Sequence, residues 1–148
     1  MEGVDRVYHL AGITKGFSHE QMLQINGDGV GVVAKACAQR ETPPNLVVLS
    51  SLAAAGPAPK ERPLVETDVS DPISKYGITK LRGETAAREF ADRVPISVVR
   101  SPIVVGEGDL DGLALFQSIK MIRAHMVPTL RNYSFSMVHA EDLARAIW

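Results

Sequence analysis

Short apolar runs alternate with longer helical patterns along this chain, and that order limits the folds open to it. Val4 to Leu10, Asn45 to Ser50 and Ile96 to Arg100 each read as a strand. Between the first two, Ser18 to about Gln39 reads as a helix, with Ser18 as N-cap and Gln21 at the third helical position of a capping box. Between the second and third, a loop holding Pro57, Pro59 and Pro63 leads into a helix from Ser74 to about Asp92. Strand, helix, strand, helix, strand implies parallel strands joined by right-handed crossovers. Strands apolar on both faces suit a sheet covered on two sides. The expected class is therefore α/β. Beyond the third strand, Leu113 to about His125 reads as a helix, Tyr133 to Val138 as a short strand and Ala140 to Trp148 as a final helix.

Composition narrows the partners. The 148 residues are 45% apolar and 22% charged, enough for one core. Sixteen basic against seventeen acidic residues leave a formal charge of -1, and with 5% aromatics neither a phosphate-binding surface nor a base-stacking platform is expected, so no nucleic acid partner. No apolar run approaches the roughly 18–20 residues of a membrane span, and the charged start, Met-Glu-Gly-Val-Asp-Arg, is not a secretory signal. A soluble cytoplasmic protein without a membrane partner is the expectation. Cys37 is alone in a helical pattern and reads as a small buried hydrophobe. His9 reads as packed in its strand, His19 and His125 as exposed on helices, and His139 as a loop residue before the last helix. With no i, i+4 pair among them, they give no metal site. Gly27, Gly29 and Gly31 each cost a helix about 1 kcal/mol relative to alanine, which suggests a face pressed against a sheet.

In a parallel sheet, ligands sit beyond the carboxyl ends of the strands. Those ends are Leu10-Ala11-Gly12, Ser50-Ser51 and Arg100-Ser101-Pro102. Tyr76 and Lys80 stand four apart, so they share a helix face. A phenol has a pKa of about 10 in water, and a nearby ammonium stabilises the phenolate. Such a tyrosine could pass a proton to or from a hydroxyl while hydride moves elsewhere, with Ser51 on a strand end to hold the substrate oxygen. By spacing alone the pair is equally an ordinary surface couple. Ser50-Ser51 lacks the GxSxG turn of a nucleophile elbow. Glu84, eight residues after Tyr76, reads as a helix-surface or interface group.

The motifs gain weight in order. Val7-Tyr-His9-Leu10-Ala11-Gly12, then Asn26, then Leu49-Ser50-Ser51-Leu-Ala-Ala-Ala-Gly56, then Ser74-Lys-Tyr76-Gly-Ile-Thr-Lys80, then Val99-Arg-Ser-Pro102-Ile-Val-Val-Gly106, then Phe135-Ser-Met-Val-His139-Ala-Glu-Asp142 run through nearly the whole chain. In this order and spacing the chain resembles the extended short-chain dehydrogenases/reductases, the NAD-dependent epimerase/dehydratase family. The resemblance implies part of a Rossmann-like doubly wound sheet and an NAD or NADP cofactor. It also implies oxidation, reduction or epimerisation at a secondary hydroxyl or ketone carbon of a small molecule such as a sugar nucleotide. Tyr76 would be the catalytic acid/base. Lys80 would bond the nicotinamide ribose and lower the pKa of Tyr76, and Ser51 would hold the reacting oxygen. Ser50 would lie beside the cofactor. Leu10, Ala11 and Gly12 would line the dinucleotide, Asn26 would brace the site through the helix backbone, and Pro102, Ile103 and Val105 would lie by the nicotinamide. Asp142 would cap or orient the last helix. A homo-oligomer, a dimer through the Ser74–Asp92 helix, is also implied.

The departures from the family pattern are as informative. The family opens with a strand, a GxxGxxG turn and a helix, and its substrate part is built largely from carboxyl-terminal segments; both are missing here, so residues 1–148 are expected to form a single partial domain. Gly27 to Gly31 lies within a helical pattern, and the three carboxylates of the Gly106–Gly112 loop would repel a pyrophosphate, so neither replaces that turn. Leu52 and Ala53 stand where dehydratases of the family carry an acidic pair, which disfavours a lyase. Two other readings stay open: a dinucleotide-binding module without catalysis, and a chain inactive by itself, with Val4–Leu10 left as an association-prone sheet edge.

Overall fold

The computed structural model describes residues 3–15, 18–59, 62–122 and 135–148. They fall into two compact units, Met1–Ser101 and Pro102–Trp148. In the first unit, β1 (Arg6–His9), β2 (Asn45–Ser51) and β3 (Ile96–Ser101) form a parallel sheet in the order β1-β2-β3. Val7 lies opposite Leu46, Val48 opposite Val98, and Ser51 opposite Ser101. Leu46, Val48 and Ser50 of the central strand are buried, while Val47, Leu49 and Ser51 are only half-buried. One face of the sheet is thus packed tightly, where the sequence suggested two. β1 is shorter than Val4–Leu10 and half-buried. Among the described residues it pairs only with β2, over Arg6–His9, and Val4 and Leu10 lie outside that ladder and are exposed.

The expected helix from Ser18 to Gln39 forms as one helical run: α1 (His19–Leu23), a π-helical turn (Gln24–Asp28) and α2 (Gly29–Ala38). Ser18 caps it, its Oγ accepting the Gln21 N–H at 3.1 Å. His19, expected to be exposed, is half-buried in the first turn, and its Nδ1 has no partner among the described residues. After β2 the chain enters a short helix, α3 (Leu52–Ala55), and then Gly56. Gly56 adopts φ 92°, and a Cβ there would collide with the Asp71 carbonyl. Ser74 starts α4 (Lys75–Arg88) by accepting the Gly77 N–H at 3.0 Å.

The core lies between α2, α4 and the sheet: Val30, Ala34, Cys37, Ala38, Leu46, Val48, Ala87 and Val94. Each buried aliphatic chain of this size contributes roughly 1.5–3 kcal/mol. Cys37 is fully buried, and burial pushes its thiol pKa up, which keeps it unreactive. Gly27 and Gly31 of the first helical run face α4 and not the sheet, while a Cβ on Gly29 would meet only the Gln24 carbonyl. A Cβ on Gly27 would press on the Arg82 side chain and one on Gly31 on Ala86, while a Cβ on Gly83 of α4 would strike the Asn26 carbonyl. Two helices meet there at backbone distance, which only glycine permits.

In the second unit, β4 (Ile103–Val105) pairs in parallel with β5 (Met137–His139). α5 (Leu110–Ile122) starts earlier than Leu113 because Asp109 caps it, Oδ1 accepting the Gly112 N–H at 2.9 Å. α6 (Ala140–Ile147) is capped by His139, whose Nδ1 accepts from the Glu141 N–H at 3.4 Å; Asp142, expected in that role, instead lies 3.7 Å from Arg145. Asp142 cannot cap because it already sits inside the first turn. His125 and the start of the strand expected from Tyr133 lie outside the described residues. No described helix is long and apolar enough to cross a membrane.

Gly83→Ala should lower stability by about 1–3 kcal/mol, because the added methyl meets backbone that cannot rotate away. Thermal melting checks it, with Gly108→Ala, whose Cβ would meet open space but whose φ of 87° is also strained, as the comparison for backbone strain without crowding.

Candidate active site

The carboxyl end of β2 is joined to one face of α4. Ser51 ends the strand with extended backbone and caps α3, its Oγ accepting the Ala53 N–H at 3.2 Å. The same hydroxyl lies near enough to the Tyr76 phenol to lower its pKa. One helical turn further on, Lys80 is nearly buried and donates from Nζ to the Leu49 carbonyl at 2.7 Å, its sole hydrogen bond among the described residues. The three residues expected to act together are therefore brought to one strand end. Ser51 acts on the Tyr76 phenol, and Lys80 is anchored two residues back along the strand.

Burial dominates the electrostatics. It pushes the Tyr76 phenol above its ordinary value, with the Ser51 hydroxyl pulling partly back. The sequence led us to expect a lowered phenol pKa through Lys80. In the unliganded chain the direction is the opposite, because burial of the phenol itself outweighs what lowers its pKa. The Lys80 pKa is lowered by burial, and the Glu84 carboxylate opposes that shift. His9, on β1, is half-buried beside this ammonium. Burial and then the Lys80 charge lower its pKa, and its Nε2 lacks a partner among the described residues.

The loop after β1 forms the other wall. Leu10, Ala11 and Gly12 are exposed at the strand end. A Cβ on Gly12 would stand 3.1 Å from Asn26 Oδ1 and 3.6 Å from Lys80 Nζ, so bare backbone approaches the ammonium here. Asn26 is fully buried in the π-helical turn, where the extra residue turns its side chain inward. Its Oδ1 accepts the Ile13 N–H at 2.8 Å, and its Nδ2 donates to the Ile13 carbonyl at 2.8 Å and to Thr79 Oγ1 at 3.0 Å. Thr79 in turn donates to the Tyr76 carbonyl at 2.7 Å. Asn26 thus braces the site through its side chain, acting on the loop backbone and the helix at once, and not through its own helix backbone.

Two expectations change in detail. Ser50 is buried and donates to Glu84 Oε1 at 2.5 Å, so its hydroxyl is committed away from the strand end. Glu84 is no surface group. It is fully buried, accepting from Arg100 Nε at 2.9 Å and Nη2 at 2.7 Å, because a carboxylate on the packed face of α4 is tolerated only with such partners. Arg100 also donates to Ser70 Oγ at 2.8 Å. A charge inside the apolar run Ile96–Arg100 was the available signal, since a buried arginine needs a carboxylate within reach. Pro102, Ile103 and Val105 belong to the second unit, where Ile103 is exposed and Val105 half-buried on β4. Thr79 carried no sequence signal.

The site has features that suit a dinucleotide's nicotinamide-ribose end: an ammonium with protons to spare, open backbone at Gly12 and an unpartnered imidazole nitrogen. Tyr76 should ionise above pH 10 in the unliganded chain, and Ser51→Ala should raise it further; the ultraviolet difference between parent and Tyr76→Phe measures both. Because the folded pKa is raised, the matching stability is present below about pH 10 and lost as pH rises through the folded value.

The chain matches the profile of the NAD dependent epimerase/dehydratase family over residues 1–148. It is 32% identical over 144 residues to a ceramide reductase of Caulobacter vibrioides, covering 97% of this chain and 39% of that protein. MoeE5 in complex with UDP-glucuronic acid and NAD superposes with a TM-score of 0.74 at 27% identity, over 96% of this chain and 50% of that one. A UDP-glucuronic acid 4-epimerase from Bacillus cereus shares the fold, with a TM-score of 0.78 at 22% identity over 95% of this chain and 47% of that one. The chain thus spans about two-fifths to half the length of these relatives. With its parallel, Rossmann-like sheet and a family match along its whole length, the chain belongs to the NAD-dependent epimerase/dehydratase family.

Proposed function

We propose that this chain carries the reacting edge of an NAD(P)-dependent oxidoreductase or epimerase that works at a secondary hydroxyl or ketone carbon. The observation that carries the reading is Ser51 at the end of a parallel strand beside the Tyr76 phenol, with a buried lysine one turn further on held on the Leu49 carbonyl. Family membership and the NAD-bound relatives support the cofactor. A sugar nucleotide is the favoured substrate class, as in MoeE5 with UDP-glucose, and the ceramide reductase match keeps other carbonyl compounds in view.

The nicotinamide, when bound, supplies the hydride acceptor or donor. Everything else falls to the chain. Ser51 presents its hydroxyl proton to the reacting oxygen, which the acceptor bond from Ala53 leaves free to turn that way. Tyr76 takes a proton from that oxygen in oxidation and returns one in reduction, at its phenol oxygen. Lys80 keeps one proton on Leu49 and offers the others to ribose hydroxyls. A ring carrying positive charge, added beside Tyr76, would lower a phenol pKa that burial alone raises. The acid/base group would then be set for transfer only when the site is loaded. Asn26 holds the Gly12–Ile13 backbone open for the ligand.

Tyr76→Phe in the full-length protein should cut turnover at least about 100-fold on a panel of sugar nucleotides and ketones, with NADH affinity nearly unchanged. Turnover near the parent's would remove Tyr76 from the chemistry. NADH and NADPH binding without turnover on any member of the panel would favour a non-catalytic dinucleotide-binding module.

A further inference from the structure

Three consecutive residues of β2 are each tied to α4 at successive helical turns. Ser51 reaches Tyr76, the Leu49 carbonyl holds Lys80, and Ser50 between them holds Glu84. Positions 76, 80 and 84 lie on one helix face, so the strand end and the helix meet in a fixed register. The first two ties belong to the proposed chemistry. The third lies a turn deeper and is the most elaborate of the three. Glu84 has no exposure and gathers the Ser50 hydroxyl from β2 and two N–H groups of Arg100 from β3, with Arg88 3.6 Å away on its own helix. Through Arg100 it reaches Ser70, in the segment that leads into α4.

We propose that Glu84 is a positioning residue for the reacting centre: its buried pairing with Ser50 and Arg100 sets the register in which Tyr76 and Lys80 meet the end of β2. The inference rests on the functional reading above. A buried ion pair adds little net stability over apolar side chains of similar size, so stability alone is a weak reason for this network. What the network supplies is direction. A bidentate Arg100 fixes both carboxylate oxygens, and the carboxylate then fixes Ser50, the residue between the two backbone positions that orient Lys80 and Tyr76. The charge acts as well. The groups facing Lys80 are Glu84 on its own helix and His9 on β1; those facing Glu84 are Arg88 on its helix, Arg100 on β3 and the Ser50 hydroxyl on β2. Glu84 favours the ammonium form of Lys80, so its loss leaves more free amine at a given pH.

Trace labelling of the folded full-length protein with acetic anhydride reads this directly, because only the free amine reacts and no substrate is needed. Lys80 labelling is taken relative to the exposed Lys75 by mass spectrometry. In Glu84→Met with Arg100→Met, which removes both charges and keeps the volume, the ratio should rise several-fold, because Lys80 loses the carboxylate that favours its ammonium form and the register that holds it on Leu49. Ser50→Ala, which loses only one hydroxyl and should fold in any case, should raise it about threefold. A folded double variant with an unchanged ratio overturns the inference. If the double variant does not fold, an unchanged ratio in Ser50→Ala does so. The functional reading fails separately: if Tyr76→Phe keeps its turnover, that reading falls and takes the catalytic role of Glu84 with it, whatever the ratio. An inactive Tyr76→Phe together with an unchanged ratio removes the inference alone.

Discussion

Everything in the first unit is arranged around the contact between the last residues of β2 and one face of α4. A strand end alone would leave Leu49, Ser50 and Ser51 with free carbonyls and hydroxyls. A helix alone would leave a tyrosine, a lysine and a glutamate at 76, 80 and 84 with no reason to converge. Brought together, each satisfies the other: carbonyl with ammonium, hydroxyl with phenol, hydroxyl with carboxylate. Buried polar groups are tolerated only when paired in this way, so the same contact that builds the site also makes it admissible in the interior.

Close helix packing makes that contact possible. α4 approaches the Asn26 backbone so nearly that Gly83 has no room for a Cβ, and Gly77 likewise sits against the Ala53 carbonyl. Both glycines lie on the helix that carries Tyr76 and Lys80. Their cost in helix propensity is offset by placing that helix within hydrogen-bond reach of the strand. The π-helical turn serves the same end from the other side, by turning Asn26 inward onto both the Ile13 backbone and Thr79. Two neighbouring helices and the loop after β1 are thereby locked to one another by side chains that carry no net charge.

The balance of burial and charge at the site has a consequence for control of the reaction. In the unliganded chain, burial holds the phenol protonated and weakens the ammonium. Neither group is then primed for proton transfer. Under the proposed function, positive charge added beside Tyr76 would favour the phenolate that burial disfavours. Glu84, paired with Arg100, opposes part of that weakening of Lys80.

The alternation of strands and helices, the parallel sheet and the cap at Ser18 were legible in the sequence, because they rest on local periodicity and on a hydrogen bond that spans three residues. So was the grouping of Ser51, Tyr76 and Lys80, since motif order placed them at strand ends and on one helix face. Tertiary structure alone decided the rest. It turned the glycine face of the first helical run toward a second helix, buried Glu84 against Arg100, and drew Ser50 away from the strand end. It also reversed the expected direction of the Tyr76 pKa. Each of these depends on which residues distant in the chain share a low-dielectric space, and spacing along a sequence carries no record of burial.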